Sequence, residues 1–469
     1  MTTRYYTMDL ETYPNIFTFC GKFTDSDEIY LYEISDRKDQ KQELLTHLSW
    51  LRNLQVEMVG FNNIGFDYPI IHELMINPYL FTYQKAAELA HKIINSQRMG
   101  FKLSRIKLSE RIIPQIDVYK ICHFDNRAKT TSLKALQFAM RSPSVDDLPF
   151  EIRDLNDQEK DVLCEYNVHD VTETEKFFLK NLDAVSMRRE FLANGTLRGD
   201  VMNYADTKIG VEYFISKLGR AKCFNGGKPK QTFRELIEFK NIILPSIFFR
   251  TDLFNETFDW FKKQFIYIKK KDQINPKLSV DLAGLEFHFG IGGVHASAEN
   301  KVFHSDDEYQ VIDIDVTGMY PAVAIANNFA PEHLGESFVT VYKQIVADRA
   351  RHKKGTSMNA ALKLASNGVY GNSNNPYSPF YDPQYTFSVT VNGQLQILQL
   401  VESVSLIPDV ELIQANTDGV TVRIKKTMIP LFKMWCDEWE KMTGLKLEYV
   451  DYSRMWIRDV NSYLAECEE

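Results

Sequence analysis

The stretch ELIQANTDGVTV, Glu411 to Val422, decides how the rest of the chain is read. Its apolar run breaks at Asn416-Thr417-Asp418-Gly419 and resumes as Val420-Thr421-Val422. Asn, Asp and Gly tolerate the backbone of a tight hairpin, so the spacing predicts strand, turn, strand. An isolated NTDG is usually a surface turn. Here the Ile- and Val-bearing strands on both sides predict a buried sheet, and a carboxylate at a buried turn needs a partner.

Two upstream segments bear on that partner. IDIDVTGMYP, Ile312 to Pro321, ends an apolar strand on Asp315 and begins a new element at Tyr320-Pro321. KLASNGVYGN, Lys363 to Asn372, spaces Lys363, Asn367 and Tyr370 at i, i+4 and i+7, one face of a helix that closes at Gly371.

The chain has 469 residues, enough for two or three domains with full cores. Its 44% hydrophobic and 25% charged content is that of an ordinary folded protein and excludes disorder. A net charge of −8 argues against a surface that binds nucleic acid all over, but not against a local basic cleft. Three basic clusters are candidates: Arg98, Lys102, Arg105 and Lys107; Lys269 to Lys271; and Arg349, Arg351, His352, Lys353 and Lys354. The six cysteines form no C-x-x-C pair, which fits reduced thiols better than a zinc ribbon or a disulfide framework. No basic-apolar leader opens the chain, and no apolar run approaches the ~18 residues of a membrane span. A soluble, intracellular protein is expected, with no membrane partner.

Toward the N-terminus, residues 4–35 read as three strands, residues 39–52 as a helix and VEMVGFN as a further strand, a layered α/β pattern. Asn156 and Glu159 have the spacing of a capping box opening a long helix. A second sheet-rich region begins near FGIGGVHAS, Phe289 to Ser297, and a domain boundary is expected between 175 and 200.

Asp9 and Glu11, two apart on the first strand, leave the same face. Asp67 follows the strand VEMVGFN, and Tyr166 and Asp170 are neighbours on one side of the capped helix. Crowded together, four carboxylates repel unless cations compensate them. Oxygen ligands select Mg²⁺ or Mn²⁺, and a pair of such ions suits phosphodiester cleavage.

The ordered set D-x-E, N-x-x-F-D (Asn63 to Asp67) and Y-x-x-x-D (Tyr166 to Asp170) resembles the motifs of DEDDy-type 3′→5′ exonucleases. That resemblance implies an RNase H-like fold, with Tyr166 orienting the attacking water, Asn63 at the DNA and Lys134 as a possible phosphate contact. The three later segments look like a family B DNA polymerase, closest in pattern to bacteriophage members. Asp315 to Pro321 match D-x-x-S-L-Y-P, Lys363 to Gly371 match K-x-x-x-N-S-x-Y-G, and the stretch around Thr417-Asp418 matches Y-x-D-T-D-S. The resemblance implies α/β and α+β domains: an exonuclease at 1–185, a linker region and start of palm at 186–295, palm at 296–340, short helical fingers at 341–372, and palm again at 373–469. It further implies that Asp315, Asp418 and the main-chain carbonyl of Val316 hold two Mg²⁺ ions. Arg349 and Lys353, read as i, i+4 on one helix, would join Lys363 around the triphosphate. Tyr320 would lie under the incoming sugar, and Asn367 and Tyr370 would pack the nascent base pair. The implied partners are primer-template DNA and dNTPs, in the cytoplasm of an infected bacterial host.

The pattern departs from the family at three places. Asn416 stands where an aspartate is usual, and Gly419 and Gly318 stand where serines are usual. The Asn416 amide oxygen is expected to hydrogen-bond a metal-bound water in place of a direct ligand. MWIRDVNSYLA resembles the K-x-Y region that contacts duplex, with Tyr463 matching and Arg458 supplying charge. The sequence ends six residues after Tyr463, where family members continue into a thumb, so either a second polypeptide is expected to supply the thumb or the chain is a fragment. Protein-priming insertions are absent, favouring a nucleic-acid primer. The rival readings are an exonuclease with a degenerate palm and a non-catalytic scaffold that binds primer-template.

Overall fold

Alternation along the first strand sets up the N-terminal half. In β1 (Tyr5–Tyr13), Tyr6, Met8 and Leu10 enter one apolar core, so Asp9 and Glu11 leave by the opposite face. β1 pairs antiparallel with β2 (Ile16–Phe23), which pairs antiparallel with β3 (Ile29–Ser35). After α1 (Lys41–Asn53), β4 (Glu57–Gly60) adds parallel to β1. α2 (Asp67–Ile76) and α3 (Tyr83–Arg98) precede β5 (Gln115–Asp117), parallel to β4, giving the order β3-β2-β1-β4-β5. The strands and first helix expected from the sequence are all present, in a layered α/β unit.

The core that takes Met8 and Leu10 is filled by Leu44, Leu48 and Leu51 of α1 and Ala86, Ala90 and Ile93 of α3. Beyond β5 come α4 (Val118–Ile121), α5 (Leu133–Met140), α6 (Asp157–Lys180) and α7 (Leu182–Ala193). α6 lies against β1 and β2, and its Phe177 and Phe178 pack with Val59 and Ile116 in a second core. The capping box at its start is present: Asn156 Oδ1 accepts from Glu159 N at 3.0 Å, and Glu159 Oε2 accepts from Asn156 N at 3.0 Å.

The structure is a computed structural model and describes residues 4–99, 106–126, 128–147, 150–268 and 278–468. Lys102, Arg105 and the run Lys269 to Lys271 lie outside the described residues. The chain divides into two units, Met1–Ile209 with Lys354–Ala361, and Gly210–Lys353 with Leu362–Glu469. The first unit extends past the window of 175–200, and Arg188 supplies the physical reason. Its fully buried guanidinium donates to the carbonyls of Ala184 (2.8 Å) and Tyr204 (2.8 Å) and to Asp206 (2.6 Å). A buried charge held this way ties α7 to the residues that follow it, Tyr204 and Asp206.

The second unit takes in most of α8 (Asp206–Leu218), then α9 (Arg220–Cys223) and two small ladders, β6 (Phe224–Asn225) with β7 (Lys228–Pro229) and β8 (Leu236–Glu238) with β9 (Phe265–Tyr267). α10 (Asp252–Lys263) lies between β8 and β9. Its main sheet has nine strands: β10 (Leu278–Leu282), β11 (Leu285–Phe289), β12 (Val294–Ser297), β13 (Lys301–His304), β14 (Tyr309–Val316), β15 (Val410–Ala415), β16 (Gly419–Lys425), β17 (Leu447–Asp459) and β18 (Ser462–Cys467). Their order is β10-β11-β12-β15-β16-β14-β17-β13, with β18 on β17. α11 (Met319–Ala326), α12 (Glu336–Ala350), α13 (Ser357–Asn372), α14 (Pro383–Ser405) and α15 (Ile429–Thr443) complete the unit, α13 passing between the two units at Ala361. α14 is buried on all sides, and Trp439 of α15 donates its indole N–H to the Gln396 carbonyl at 2.8 Å. No helix among the described residues is long and apolar enough to cross a membrane.

Candidate active sites

In the N-terminal unit, β1 presents Asp9 and Glu11 toward α6, which presents Tyr166 and Asp170. Ligand oxygens of Asp9, Glu11 and Asp170 all lie within 4.8 Å of one another. Asp67 occupies the first position of α2, and its carboxylate receives the backbone N–H groups of Asp67 and Leu10. Burial, then the charges of Asp67, Glu11 and Asp170, hold Asp9 well above the usual carboxylate range. Glu11 is pushed up to about 8 by burial and by Asp170 and Asp67. Burial pushes Asp67 up to about 7. Asp170 is raised by burial too, although Tyr166 and Gln137 hydrogen-bond to it. Burial with the Asp170 and Glu11 charges raises the Tyr166 phenol.

These shifts describe buried negative charge without enough positive charge. Lys134 points over the Tyr166 ring at 5.9 Å but pairs with Asp147 at 2.5 Å, and Lys22 pairs with Glu175 at 2.8 Å. An all-oxygen, strongly anionic donor set of this kind fits a hard divalent cation, Mg²⁺ or Mn²⁺. Asp9, Glu11, Asp67 and Asp170 are the residues that can hold it.

Asn167 was not foreseen. Its Nδ2 donates to Asp9 at 2.7 Å while its Oδ1 accepts from Thr18 at 3.1 Å, so α6 orients the Asp9 carboxylate. Its position beside Tyr166 was the available signal. Asn63, expected to contact DNA, is corrected: its side chain is fully buried and donates to Gln115 at 2.9 Å. It packs so tightly on Gly60 that a Cβ there would lie 2.6 Å from the Asn63 Cβ. Asn63 therefore shapes the turn that leads to Asp67.

In the second unit, Asp315 ends β14 directly opposite Gly419 of β16 and Glu448 of β17. The hairpin read from NTDG is present. Asn416 N donates to Gly419 O at 2.8 Å, and Val316 N donates to Asp418 O at 2.7 Å, which fastens the turn to the end of β14. The Asp315 carboxyl reaches solvent, yet it is pushed up to about 7 by surrounding protein and by Asp313, Asp418 and Glu448. Like-charged groups thus face one another here as well, and oxygen donors again suit a hard cation. Among the described residues, the N-terminal trio is the only group of three or more such side chains whose ligand atoms lie within 4.8 Å of one another.

Both glycine departures have local explanations. A Cβ on Gly419 would lie 1.9 Å from Asp315 Oδ1 and 3.1 Å from the Ile314 carbonyl, so a side chain there would displace the Asp315 carboxylate. Gly318 has φ +59° as the residue before α11, a left-handed conformation that costs glycine least. Asn416 Oδ1 accepts from Thr417 N at 2.7 Å, so the side chain locks the turn.

Tyr320 of α11 stacks on Tyr370 of α13, centroids 4.2 Å apart and planes at 16°, and its hydroxyl donates to the Gly292 carbonyl at 3.0 Å. Lys363 and Asn367 are exposed on the same helix. The helical pairing of Arg349 with Lys353 is corrected: α12 ends at Ala350, so Lys353 lies in the turn beyond it. Arg458 is exposed and bonds Asp459 (2.9 Å) and Ser462 (2.8 Å) across the β17–β18 turn. The Tyr463 phenol, bonded to Gln414, is raised by burial and by the charges of Asp313 and Asp315. Asp313 was missed, though I-D-I-D alternation puts it on the Asp315 face. It is buried, receiving the Thr421 hydroxyl and, at 3.2 Å, that of Tyr452. Glu448, which accepts from Thr317 at 3.3 Å, had no signal before the register of β17 was known.

Among solved structures, the family B DNA polymerase from the hyperthermophilic archaeon Pyrobaculum calidifontis is similar to this chain, with a TM-score of 0.55 and 16% identity over 99% of this chain. The fold is therefore family B DNA polymerase-like, and the match spans 59% of that neighbour's length. No family model and no curated protein matches the sequence.

Proposed function

We propose that the chain is a template-directed DNA polymerase that extends a nucleic-acid primer and carries a 3′→5′ exonuclease in its N-terminal unit, serving bacteriophage replication. The observation that carries this reading is the hairpin: Asp418 is fastened to the end of β14 beside Asp315, and Gly419 lies directly against the Asp315 carboxylate. In this reading Asp315, Asp418 and the Val316 carbonyl hold divalent ions. Bound Mg²⁺ or Mn²⁺ supplies the charge that eases ionisation of the primer 3′-hydroxyl and departure of pyrophosphate. Lys363, Arg349 and Lys353 bind the triphosphate, Tyr320 meets the sugar, and Asn367 and Tyr370 pack the base pair. Arg458 and Tyr463 face the duplex.

In the N-terminal unit, Asp9, Glu11, Asp67 and Asp170 hold the metal pair, and Tyr166, fixed by its bond to Asp170, orients the attacking water. The sheet order β3-β2-β1-β4-β5 supports an RNase H-like reading of that unit. Convergence of ligand atoms in the N-terminal trio alone favours one rival, an exonuclease whose palm is inert. Primer extension by the unmodified chain with Mg²⁺ and dNTPs separates the two. Template-dependent extension is expected; 3′-end degradation without extension under any nucleotide concentration would select the rival.

A further inference from the structure

The β11–β12 hairpin ends in Gly290-Ile291-Gly292-Gly293, closed by Gly290 N donating to Gly293 O at 3.0 Å. This tip meets three elements. Gln394 of α14 donates to the Gly290 carbonyl at 3.0 Å, and Tyr320 of α11 donates to the Gly292 carbonyl at 3.0 Å. Thr417 of the NTDG turn fills the space a side chain would need at Gly293, where a Cβ would lie 2.4 Å from Thr417 Oγ1. β12 also pairs with β15, Ala296 opposite Ala415, so tip and turn are joined through the sheet.

We propose that the Gly290–Gly293 tip is a positioning device that sets sugar selection: it fixes the Tyr320 ring from its hydroxyl end and seats the Asp418 turn from below. This rests on the polymerase reading. Tyr320 is restrained on two sides, by the Tyr370 ring it stacks on and by the Gly292 carbonyl. A ring restrained at its face alone can pivot; one also tied at its hydroxyl cannot yield to a ribose 2′-hydroxyl. The same tip holds Thr417, which neighbours Asp418, so the sugar boundary and the carboxylate turn keep a fixed separation. Errors of ~1 Å in such placements cost about a hundredfold in rate.

Tyr320→Phe keeps the stack and removes only the tie. It is expected to lower the dNTP-over-rNTP ratio of kcat/KM about tenfold. Gly293→Ala is expected to lower the melting temperature and dNTP kcat, and Thr417→Gly in the same chain to restore both. Unchanged discrimination in an active Tyr320→Phe, or melting shifts that simply add for Gly293→Ala and Thr417→Gly, would overturn the proposal. Absence of any incorporation by the unmodified chain would instead overturn the polymerase reading and, with it, the sugar role. The melting cycle reports on the Gly293–Thr417 seat regardless of activity.

Discussion

Single residues carry the most distinctive features of the hairpin site in the second unit. Position 419 is decided by distance: a side chain there collides with Asp315 Oδ1. Gly419→Ser, which restores the residue usual in the family pattern, is therefore expected to reduce primer extension by about a hundredfold, read as single-turnover kcat/KM. Retained activity would show that hairpin and strand separate easily. Asn416→Asp keeps the acceptor for Thr417 N and adds a charge, so activity is expected to stay within about tenfold. A gain of several orders of magnitude would mean that the natural residue cripples the site. The carboxylates of the N-terminal unit give a pH dependence. Glu11 moves from an ordinary 4.5 to about 8 on folding. The folded form prefers the proton, so this contribution to stability is complete below about 4.5 and is lost as pH rises through about 8. Mg²⁺ is expected to raise the melting temperature more at pH 8 than at pH 6, and Asp9→Ala with Glu11→Ala to abolish that difference. An equal Mg²⁺ shift at both pH values would contradict the cation reading.

At the scale of elements, alternation and capping were legible. The β1 pattern gives both the buried Met8 and Leu10 and the opposed Asp9 and Glu11, and Asn156 with Glu159 marks the start of α6. Legibility stopped where long-range pairing decides. The opposition of Glu448 to Asp315 depends on the register of a strand far along the chain. The end of α12 at Ala350 left Lys353 off the helix, although i, i+4 spacing of basic residues had suggested a shared face. Burial of Asn63 likewise follows from Gln115 and Gly60, which only the sheet brings near it. Arg188 is the clearest tertiary override, a basic residue on α7 that became fully buried. Arg188→Ala leaves Asp206 and two carbonyls without their donor, and is expected to cost about 3–5 kcal/mol in chemical denaturation of the N-terminal unit. A loss below about 1 kcal/mol would show that the Arg188–Asp206 ion pair does not hold α7 in that unit.

The whole molecule carries two carboxylate clusters, one in each unit, and the central claim is that they run two separate reactions. Asp9, Glu11 and Asp170 converge in the first unit; in the second, the Asp313, Asp418 and Glu448 charges act on Asp315. The ordered motifs were legible in the sequence because each is short and local, whereas the supporting residues Asn167, Asp313 and the Gly290–Gly293 tip gain meaning only from their neighbours in space. The most direct measurement is a paired assay of primer extension and single-strand 3′-end degradation on two variants, Asp418→Ala and the double variant Asp9→Ala with Glu11→Ala. The account predicts that Asp418→Ala loses extension and keeps degradation, while the double variant does the reverse. Loss of both activities in either folded variant, or extension that survives Asp418→Ala, would contradict it.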